Sequence, residues 1–523
     1  MRDSRSMGLW RVAAALTALA MLASENASAA DAAAQREARV AAQFDGLVAD
    51  TARLRAFLQP MPKGGDLHNH LVGSVYAEDY LRWADEDGYC VKLDDHGLAA
   101  PPCKSGQVPA RGLVTRDPAL YEKTIDALSM RNFVPGAGVL GVGFLTGHDR
   151  FFSVFGKFMP LAATRLGDTV VSTLELAAGD RVSYVEIMVN PRNAYSFAPR
   201  AMKKPWTAGD YAANYRQIEQ ELPKLLAEAR VEFDAADAVV RQKLRCGTPQ
   251  AAAACAVRYR YLAYVDRAMP QPFAFAEMAL GYALVQADPR FVGINIVDPE
   301  DNPTALADYR VHMDMFRFFT QRAPQVKKTL HAGELTLGLV PPADLGFHIH
   351  DAVVAGARRI GHGVDIAHEQ DAAKLLATMA RERIAVEINL TSNDVILGVK
   401  GADHPLPLYL AAGVPVVLST DDEGVSRSDM TFEYIRAAQE QHLKYPLLKQ
   451  IARNGLSHAF IAGDSLWQAD GATPVAACKA SVAALKLDAA CADFVKRSDK
   501  AGLQWQHELD SASFEVSVLQ RKI

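Results

Sequence analysis

The chain has 523 residues, of which 50% are hydrophobic and 22% charged. This is the composition of a folded protein and not of a disordered or low-complexity chain. The formal net charge of −5 and the pI near 6.3 argue against a nucleic-acid binder, which usually carries a strongly basic face. No linker-like segment divides the sequence, so we expect one elaborated domain.

The first residues have the pattern of a targeting segment. Arg2, Arg5 and Arg11 precede or begin the apolar run Val12 to Ala23, and Ala27-Ser28-Ala29 offers a small-residue cleavage site. We expect residues 1–29 to be a signal peptide. The run is short for a membrane helix, which needs roughly 20 apolar residues, although an uncleaved anchor is the alternative. The mature protein is therefore expected to be exported, periplasmic or secreted, without stable membrane anchoring.

Six cysteines fall into three local pairs: Cys90 with Cys103, Cys246 with Cys255, and Cys478 with Cys491. An even count at close spacing is typical of disulfides in an oxidising compartment. Fifteen pairings are possible for six cysteines, so the neighbour pairing is a preference. Six buried free thiols are the alternative. No C-x-x-C arrangement is present, which argues against a zinc finger.

Apolar strand-like segments alternate with helical patterns along most of the chain. Residues 30–60 are helix-prone and lead into the first strand, and Asp351 to Ala357 and Asp371 to Ala380 are periodic in the manner of helices. The strand-like segments include Gly65–Leu71, Val182–Val189, Phe291–Val297, Lys328–Ala332, Arg359–Gly363, Ile384–Leu390 and Val414–Ser419. Such alternation predicts a parallel sheet covered by helices. Polar groups at successive strand ends favour an α/β fold of the TIM (β/α)₈ barrel type over a doubly wound sheet.

The chain is longer than a minimal barrel of roughly 250 residues. The stretch Ala208 to Leu244 has helical spacing, with Pro223 expected to kink or split it. We therefore expect a helical insertion near residues 206–260, within a barrel domain that spans 61–523. The tail from Thr431 to Ile523 is predicted to be mostly helical, interrupted near Gly463 to Pro474.

Four polar clusters follow strand-like runs in a fixed order. They are His68-Asn69-His70, His331-Ala332-Gly333-Glu334, Gly361-His362-Gly363 and Ser419-Thr420-Asp421-Asp422. Together they supply three histidines and an aspartate for one metal ion, with a glutamate, a further histidine and a second aspartate left for proton handling. A purely structural role seldom explains so many ionisable groups directly after strands.

The first cluster differs from a second His-x-His in the chain. His68 and His70 alternate along a strand, so both imidazoles point to one face. His348-Ile349-His350 instead opens a helical stretch, where residues two apart do not share a face. We interpret that second pair as structural or surface residues.

The later clusters combine a sharp turn with acids. Gly333 permits a close backbone approach between His331 and Glu334. Asp421 and Asp422 are adjacent carboxylates, which repel each other and need a nearby cation or donor to stay ionised. An isolated Asp-Asp would most often be a solvated turn.

The sequence resembles the adenosine deaminase family at specific blocks. Most of the chain from about Met61 to Tyr434 follows the order of that family. The stretch Gly147 to Phe152 and the export signal are most similar to the family's secreted, growth-factor-related branch. The matching blocks are Met61–Leu71, His331–Glu334, Arg359–Gly363 and Leu418–Asp422.

The resemblance implies roles for individual residues. One Zn²⁺ per chain would be bound by His68, His70, His331 and Asp421. His362 would orient the attacking hydroxide, protonated Glu334 would donate to purine N1, and Asp422 would hydrogen-bond N7. His70 and Gly333 are expected to border the substrate as well. The implied reaction converts adenosine and 2′-deoxyadenosine to inosine and 2′-deoxyinosine plus ammonia.

Three positions bear on substrate recognition. Val72 stands where the family commonly has a polar residue for the ribose 5′-hydroxyl. Asp298 stands where a glycine usually donates its N–H to purine N3, and it is expected to add negative charge there. Glu300 matches the family and is expected to contact the purine. We therefore expect weak 5′ selectivity, tolerance of 5′-deoxy analogues and little activity on AMP.

Rival hypotheses remain open at this point. The substrate could be another 6-aminopurine, such as adenine or a 5′- or N6-modified adenosine. A two-metal amidohydrolase also begins with His-x-His but normally needs a carboxylated lysine. Cytidine-type deaminases need a Pro-Cys-x-x-Cys motif, which is absent. A secreted non-catalytic binding protein is the remaining class. The sequence leaves the oligomeric state open, with a homodimer as one option.

Overall fold

The computed structural model describes residues 31–134 and 146–521, so the predicted signal segment lies outside the described residues. Eight strands form one sheet in which each neighbouring pair is parallel. Three short strands form a separate antiparallel sheet. In chain order the strands are β1 (Gly64–His70), β2 (Cys90–Lys92), β3 (Leu98–Ala99), β4 (Gln107–Pro109), β5 (Val182–Met188), β6 (Arg258–Asp266), β7 (Phe291–Val297), β8 (Lys327–Ala332), β9 (Arg359–His362), β10 (Ala385–Ile388) and β11 (Val416–Leu418).

The large sheet closes on itself. Its strand order is β1-β5-β6-β7-β8-β9-β10-β11, and a parallel bridge joins Asn69 at the end of β1 to Asp421 just after β11. The Asp421 N–H donates to the His68 carbonyl at 2.9 Å, and the His70 N–H donates to the Asp421 carbonyl at 3.3 Å. The predicted (β/α)₈ barrel is confirmed, with the order around the barrel following the order along the chain.

Helices connect consecutive barrel strands and cover the outside of the barrel. The strands are buried on both faces, as β7 and β11 with their Val and Ile side chains illustrate. The helices are α1 (31–45), α2 (Thr51–Leu58), α3 (Ala77–Asp87), α4 (Leu113–Arg116), α5 (Pro118–Ala127), α6 (Gly147–Ala162), α7 (Leu166–Gly179), α8 (Phe197–Ala201), α9 (Tyr211–Ile218), α10 (Leu222–Lys243), α11 (Gln271–Ala287), α12 (Pro303–Arg322), α13 (His348–Val354), α14 (Ala372–Glu382), α15 (Leu390–Leu397), α16 (Leu406–Ala411), α17 (Glu423–Ser426), α18 (Met430–Gln439), α19 (Tyr445–Ser457), α20 (Lys479–Ala484), α21 (Ala489–Arg497) and α22 (Asp499–Gln520).

One barrel strand was not among the predicted segments. Residues Arg258–Asp266 form β6, and the first of them fall inside the range near 206–260 that was expected to be a helical insertion. The helical part of that range is α9 and α10, which ends at Lys243. Pro223 lies in the first turn of α10, where a proline needs no N–H partner, and it separates the two helices as expected.

The N-terminal helices pack against the C-terminal tail. Phe57 of α2 lies 5.5 Å from Phe514 of α22 and 6.1 Å from Tyr445 of α19, measured between ring centroids. The buried Glu515 carboxylate accepts from the Tyr445 hydroxyl at 3.1 Å and from Arg36 at 2.7 Å. These contacts tie both ends of the described chain to the helix that covers β1 and β11.

All six cysteines form disulfides, in the neighbour pairing that the spacing predicted: Cys90–Cys103, Cys246–Cys255 and Cys478–Cys491. The first bond fastens the small β2–β4 sheet, the second follows α10, and the third fastens α21 to the segment before α20. Among the described residues, no helix combines the length and the apolar character that crossing a membrane requires.

Candidate active site

The four polar clusters meet at the carboxyl ends of their strands. His68 and His70 lie on β1, His331 on β8 and His362 at the end of β9, while Asp421 follows β11. One side-chain atom from each of His68, His70, His331 and Asp421 lies within 4.8 Å of the corresponding atoms of the others. The barrel thus brings together residues that are more than 350 positions apart in sequence.

The backbone turns sharply where several of these side chains leave their strands. His362 has φ 66°, Asp421 has φ 57° and Asp298 has φ 78°, all in the left-handed region that non-glycine residues rarely adopt. This conformation carries a strain cost that the surrounding packing must hold in place. Its effect is to re-aim a side chain at the strand end, toward the barrel mouth.

Two of the histidines are oriented by partners behind them. The Nδ1 atom of His68 lies 2.7 Å from Glu387 Oε2, and the Nδ1 atom of His331 lies 3.0 Å from Asn295 Oδ1. Since both partners accept, Nδ1 carries the proton and Nε2 presents its lone pair to the cluster. His68 Nε2 is buried 3.4 Å from Asp421 Oδ1, and His70 Nε2 lies 3.2 Å from His331 Nε2. The three imidazoles thus converge with Asp421 on one point where a cation fits.

The charge of the cluster fits a cation. Burial opposes a charge on His68, but hydrogen bonds to Asp421 and Glu387 raise its pKa to about 10, so this point of the site favours positive charge. Burial also disfavours ionised Asp421, yet its hydrogen bond to His68 and the neighbouring histidines hold its pKa well below the usual value. Three imidazole nitrogens and one carboxylate oxygen form a donor set that Zn²⁺ accepts, with room for one further ligand.

Two buried acids flank this cluster. The pKa values of Glu334 and Asp422 are both raised well above their usual values. Burial is the larger cause, and the negative charge of Asp421 is the next. Glu334 Oε1 has no hydrogen-bond partner among the described residues, although His362 Nδ1 lies alongside at 3.4 Å, and Asp422 Oδ1 also lacks one. Both side chains border the cavity. Both carboxyl groups therefore hold a proton more readily than ordinary acidic side chains, and a protonated carboxyl can donate a proton or a hydrogen bond to a ligand.

A relay of buried groups fixes which nitrogen of His362 carries the proton. The Leu406 N–H donates to His404 Nδ1 at 3.1 Å, so His404 Nε2–H donates to Asn393 Oδ1 at 3.0 Å. The Asn393 amide then donates to His362 Nδ1 at 3.1 Å. Burial lowers the pKa of His404 to about 4 and that of His362 to about 3, so both rings are neutral near pH 7. The His362 proton is consequently on Nε2, on the side of Asp421.

Glu300 does not take the place that the sequence predicted. It is buried and accepts the N–H groups of Gly333 at 3.1 Å and Glu334 at 2.8 Å, and it lies 2.5 Å from His348 Nδ1. Burial alone would raise its pKa, but the positive charge of Arg267 and the contact with His348 lower it to about 2. With both oxygens occupied, Glu300 holds the His331–Glu334 turn from behind and is not among the described residues that border the cavity.

Gly333 is likewise part of the turn and not of the cavity border. It has φ 78°, and a side chain there would collide with Asp365 and Ile349. The turn delivers His331 and Glu334 to the same side because a glycine occupies this position.

Asp298 borders the cavity but does not add the charge that was expected there. Burial, together with a hydrogen bond to Asp266, raises its pKa to about 9, so its carboxyl is neutral near pH 7. Val72 also borders the cavity, half-buried, as expected from its position after β1. The second His-x-His is structural, since His348 is buried and stacked on Tyr309 at 3.8 Å, while the side chain of His350 is 54% exposed.

The cavity above the cluster has a volume of about 260 Å³. Its floor is formed by the cluster, with Glu334, His362 and Asp422 beside it, and its walls come mainly from the residues after β1, α6 and the loops after β5 and β7. A buried polar floor under an apolar wall is typical of a small-molecule site.

The comparisons with known proteins agree with this geometry. The family described as "Adenosine deaminase" matches residues 162–467, which is more than half of the chain. The chain belongs to the adenosine deaminase family. The matched range contains His331, Glu334, His362 and the Asp421-Asp422 pair. The His68-Asn69-His70 cluster precedes it, and β1 brings that cluster into the same site.

Individual relatives match shorter stretches. An adenosine deaminase of Enterococcus faecalis is 34% identical over 137 residues, which are 26% of this chain and 37% of that protein. One from Shewanella loihica is 42% identical over 108 residues, 20% of this chain and 32% of that protein. The chain thus aligns with about a third of the length of these curated relatives. The solved structure of an adenine deaminase from Arthrobacter aurescens matches with a TM-score of 0.49 and 18% identity, over 77% of this chain and 94% of that one.

Several residues that support the site of this adenosine deaminase family member were not predicted from its sequence. Glu387 and Asn295 orient the histidines, and Asn393 and His404 orient His362. A charged Glu387 inside the apolar run Ile384–Leu390 was a usable signal, because a buried strand rarely carries an acid without a partner. The resemblance to the growth-factor-related branch stays a prediction.

Proposed function

We propose that the protein is a zinc-dependent hydrolase that deaminates adenosine and 2′-deoxyadenosine to inosine and 2′-deoxyinosine, with release of ammonia. The observation that carries this proposal is the pair of buried acids with raised pKa values, Glu334 and Asp422, beside a set of three histidines and Asp421. A purine base offers two acceptor nitrogens, N1 and N7, on either side of C6. The family membership supports the same reaction class.

We propose His68, His70, His331 and Asp421 as the ligands of one zinc ion. A zinc ion in such a set lowers the pKa of water to about 7 and so supplies hydroxide near neutral pH. The Ser392 hydroxyl donates to Asp421 Oδ2 at 2.6 Å, which leaves Oδ1 directed toward the histidines. Glu387 and Asn295 keep the imidazoles in the tautomer that binds metal.

The chain's own groups account for the proton transfers at the purine. Glu334 donates its proton to N1, which makes C6 electrophilic, while Asp422 donates a hydrogen bond to N7. His362 Nε2–H donates to the attacking oxygen and orients it toward C6. The hydroxide forms a bond to C6, and its remaining proton passes to the Glu334 carboxylate as the C6 carbonyl forms. The C6–N bond breaks, and the amino group leaves as ammonia with the first proton that the water gave up. Asp298, which borders the cavity, is proposed to offer its backbone N–H to the base.

The test is ammonia release by the purified, metal-loaded protein from adenosine, 2′-deoxyadenosine, adenine, AMP and N6-methyladenosine. The proposal expects the two nucleosides to be deaminated and AMP to react little, because a phosphate carries a charge near −2 and needs basic partners. A clear preference for AMP or free adenine would change the assigned substrate. The absence of turnover with every 6-aminopurine would refute the proposal.

The relay to His362 makes a prediction of its own. Asn393→Asp places a second acceptor against His362 Nδ1, which draws the proton to Nδ1 and removes the donor from Nε2. We expect kcat to fall by roughly 10²-fold, the size of a misplaced general acid–base group, with metal content unchanged. The matched control is Asn190→Asp, an amide in the cavity wall outside the relay. Equal and small effects of both substitutions on kcat would contradict the role of the relay.

We also propose that the protein works outside the cytoplasm, after loss of residues 1–29. The three disulfides support this, because such bonds persist in oxidising compartments. Exported protein that is unfolded without reductant is expected to leave no thiol for iodoacetamide, and its mature chain should start near Ala30.

Replacing Cys478 and Cys491 by Ser opens a loop with a separation of 13 residues, which should lower the free energy of unfolding by about 3 kcal/mol. Six reactive thiols in exported protein would contradict the pairing.

A further inference from the structure

We propose that this site selects 6-aminopurine nucleosides that carry an apolar substituent in place of the 5′-hydroxyl, such as a 5′-alkylthio group. The inference rests on the proposed deamination and concerns the part of the cavity beyond the base. It goes further than tolerance of 5′-deoxy substrates, because it assigns a binding surface to the substituent.

The position of Asp422 indicates where the sugar lies. With Glu334 at N1 and Asp422 at N7, the imidazole ring of the purine, and N9 with it, faces the Asp422 side of the site. The Asp422 carboxylate packs directly against Gly73, so closely that a side chain at Gly73 would overlap it. Val72 is the adjacent residue and borders the cavity. The sugar therefore leaves the base toward Val72.

From Val72 the apolar side chains continue to α6 through Tyr80 and Phe158, which are not among the described residues that border the cavity. The Tyr80 hydroxyl donates to the Val72 carbonyl at 2.7 Å, and the Tyr80 ring stacks on Phe158 at 4.7 Å. Phe158 contacts Phe155 at 5.5 Å, and Phe155 contacts Phe151 at 5.4 Å. The apolar side chains of this wall that border the cavity are Val72, Phe151, Phe152, Phe155, Met159 and Leu166.

Several polar side chains at the outer part of the cavity already make hydrogen bonds to protein partners. Thr169 donates to the Leu166 carbonyl at 2.8 Å, and the Asn190 amide makes two hydrogen bonds to the Tyr264 backbone, at 2.8 and 3.1 Å. The hydroxyls of Tyr195 and Tyr264 lie 3.1 Å apart and bond to each other.

The charged side chains there also have protein neighbours, although the Arg192 side chain is 61% exposed. Arg192 is the only Lys or Arg among the described residues that border the cavity, and its guanidinium lies 3.7 Å from Glu232. Asp298 is neutral and bonded to Asp266. Against Val72 and the α6 side chains a 5′-hydroxyl would lose water contacts to apolar surface, whereas an alkylthio group would bury apolar surface there.

The experiment compares kcat/KM for adenosine, 5′-deoxyadenosine and 5′-deoxy-5′-methylthioadenosine on the full zinc-loaded protein. Burial of the added sulfur and methyl group should favour the methylthio nucleoside over adenosine by about tenfold or more. Adenosine turnover equal to or faster than methylthio turnover would overturn the inference while leaving the deaminase proposal standing. Failure to deaminate any of the three nucleosides would overturn both.

Two variants locate the effect. Val72→Asp supplies a polar partner for a hydroxyl, and it should invert the ratio of the two kcat/KM values in favour of adenosine. Phe155→Ala removes part of the wall and should cut the methylthio preference over 5′-deoxyadenosine at least about fivefold. The control is Val516→Ala, at a side chain 44% exposed on α22. A preference that survives both wall substitutions unchanged would contradict the assignment of this surface.

Discussion

Replacing Glu334 by Gln is expected to lower kcat for adenosine by at least about 100-fold, with zinc content and fold unchanged. The reason is that Glu334 is a buried acid with a raised pKa beside the cluster, and an amide of the same shape cannot transfer a proton to N1. Initial rates of inosine formation at saturating adenosine, with elemental analysis of the same sample, provide the measurement.

A matched substitution is available at Glu277, on α11. Burial raises its pKa to about 8, and its carboxylate accepts the Asp266 N–H at 2.8 Å, but it is not among the described residues that border the cavity. Glu277→Gln makes the same chemical change away from the proposed substrate and should alter kcat less than about threefold. If Glu334→Gln retained near-native turnover with normal metal content, the acid role would be wrong.

Neighbouring aspartates are expected to respond in opposite ways. Asp421→Ala should lose zinc, and with it activity by about a thousandfold or more, because a ligand and its negative charge are removed together. Asp422→Ala should keep one zinc per chain and lose activity through the missing donor at N7. The two residues are adjacent and both buried, so each serves as the structural control for the other.

Elemental analysis and thermal unfolding separate the two cases. Asp422→Ala should bind one equivalent of zinc and show a rise in Tm on metal addition, as any ligand of the folded state produces. Asp421→Ala should show a much smaller rise. Full zinc occupancy in Asp421→Ala would remove Asp421 from the ligand set, and zinc loss in Asp422→Ala would exchange the two roles.

The barrel could be predicted because most of its strands are plain apolar runs. Phe291–Val297 and Lys328–Ala332 are buried strands with polar residues directly after them, and both are found as predicted. The strand Arg258–Asp266 was missed because arginines and tyrosines alternate through its first half, where the strand emerges from the disulfide loop and its residues are partly exposed. Its apolar centre, Leu262 and Ala263, is short, and its place in the barrel is defined by pairing with β5 and β7.

The residues of the cluster were predictable for a different reason. His68, His331 and Asp421 each follow or end an apolar strand, and parallel strands bring such ends to one edge. The supporting groups come from the middle of other strands or from helices, as with Glu387 on β10 and Asn393 on α15. No spacing rule connects them to their partners, because they meet only across the folded barrel.

The charge states and contacts of buried acids could not be predicted from the sequence either. From the sequence alone, an aspartate at position 298 is expected to carry a negative charge. In the folded protein, burial and the hydrogen bond to Asp266 raise its pKa to about 9 and keep it neutral. In the same way, Glu300 was predicted to contact the purine, whereas its two carboxylate oxygens accept the N–H groups of Gly333 and Glu334. Both outcomes depend on which neighbours the fold supplies.

Titration of metal-free protein with zinc, followed by inosine formation from adenosine, tests the proposed centre most directly. Because His68, His70, His331 and Asp421 form one donor set, activity is predicted to rise linearly and to reach its maximum at one zinc per chain. A maximum at two equivalents would indicate a second metal at the overlapping trio Glu334, His362 and Asp421. Full activity of the metal-free protein, or none after loading, would contradict the account.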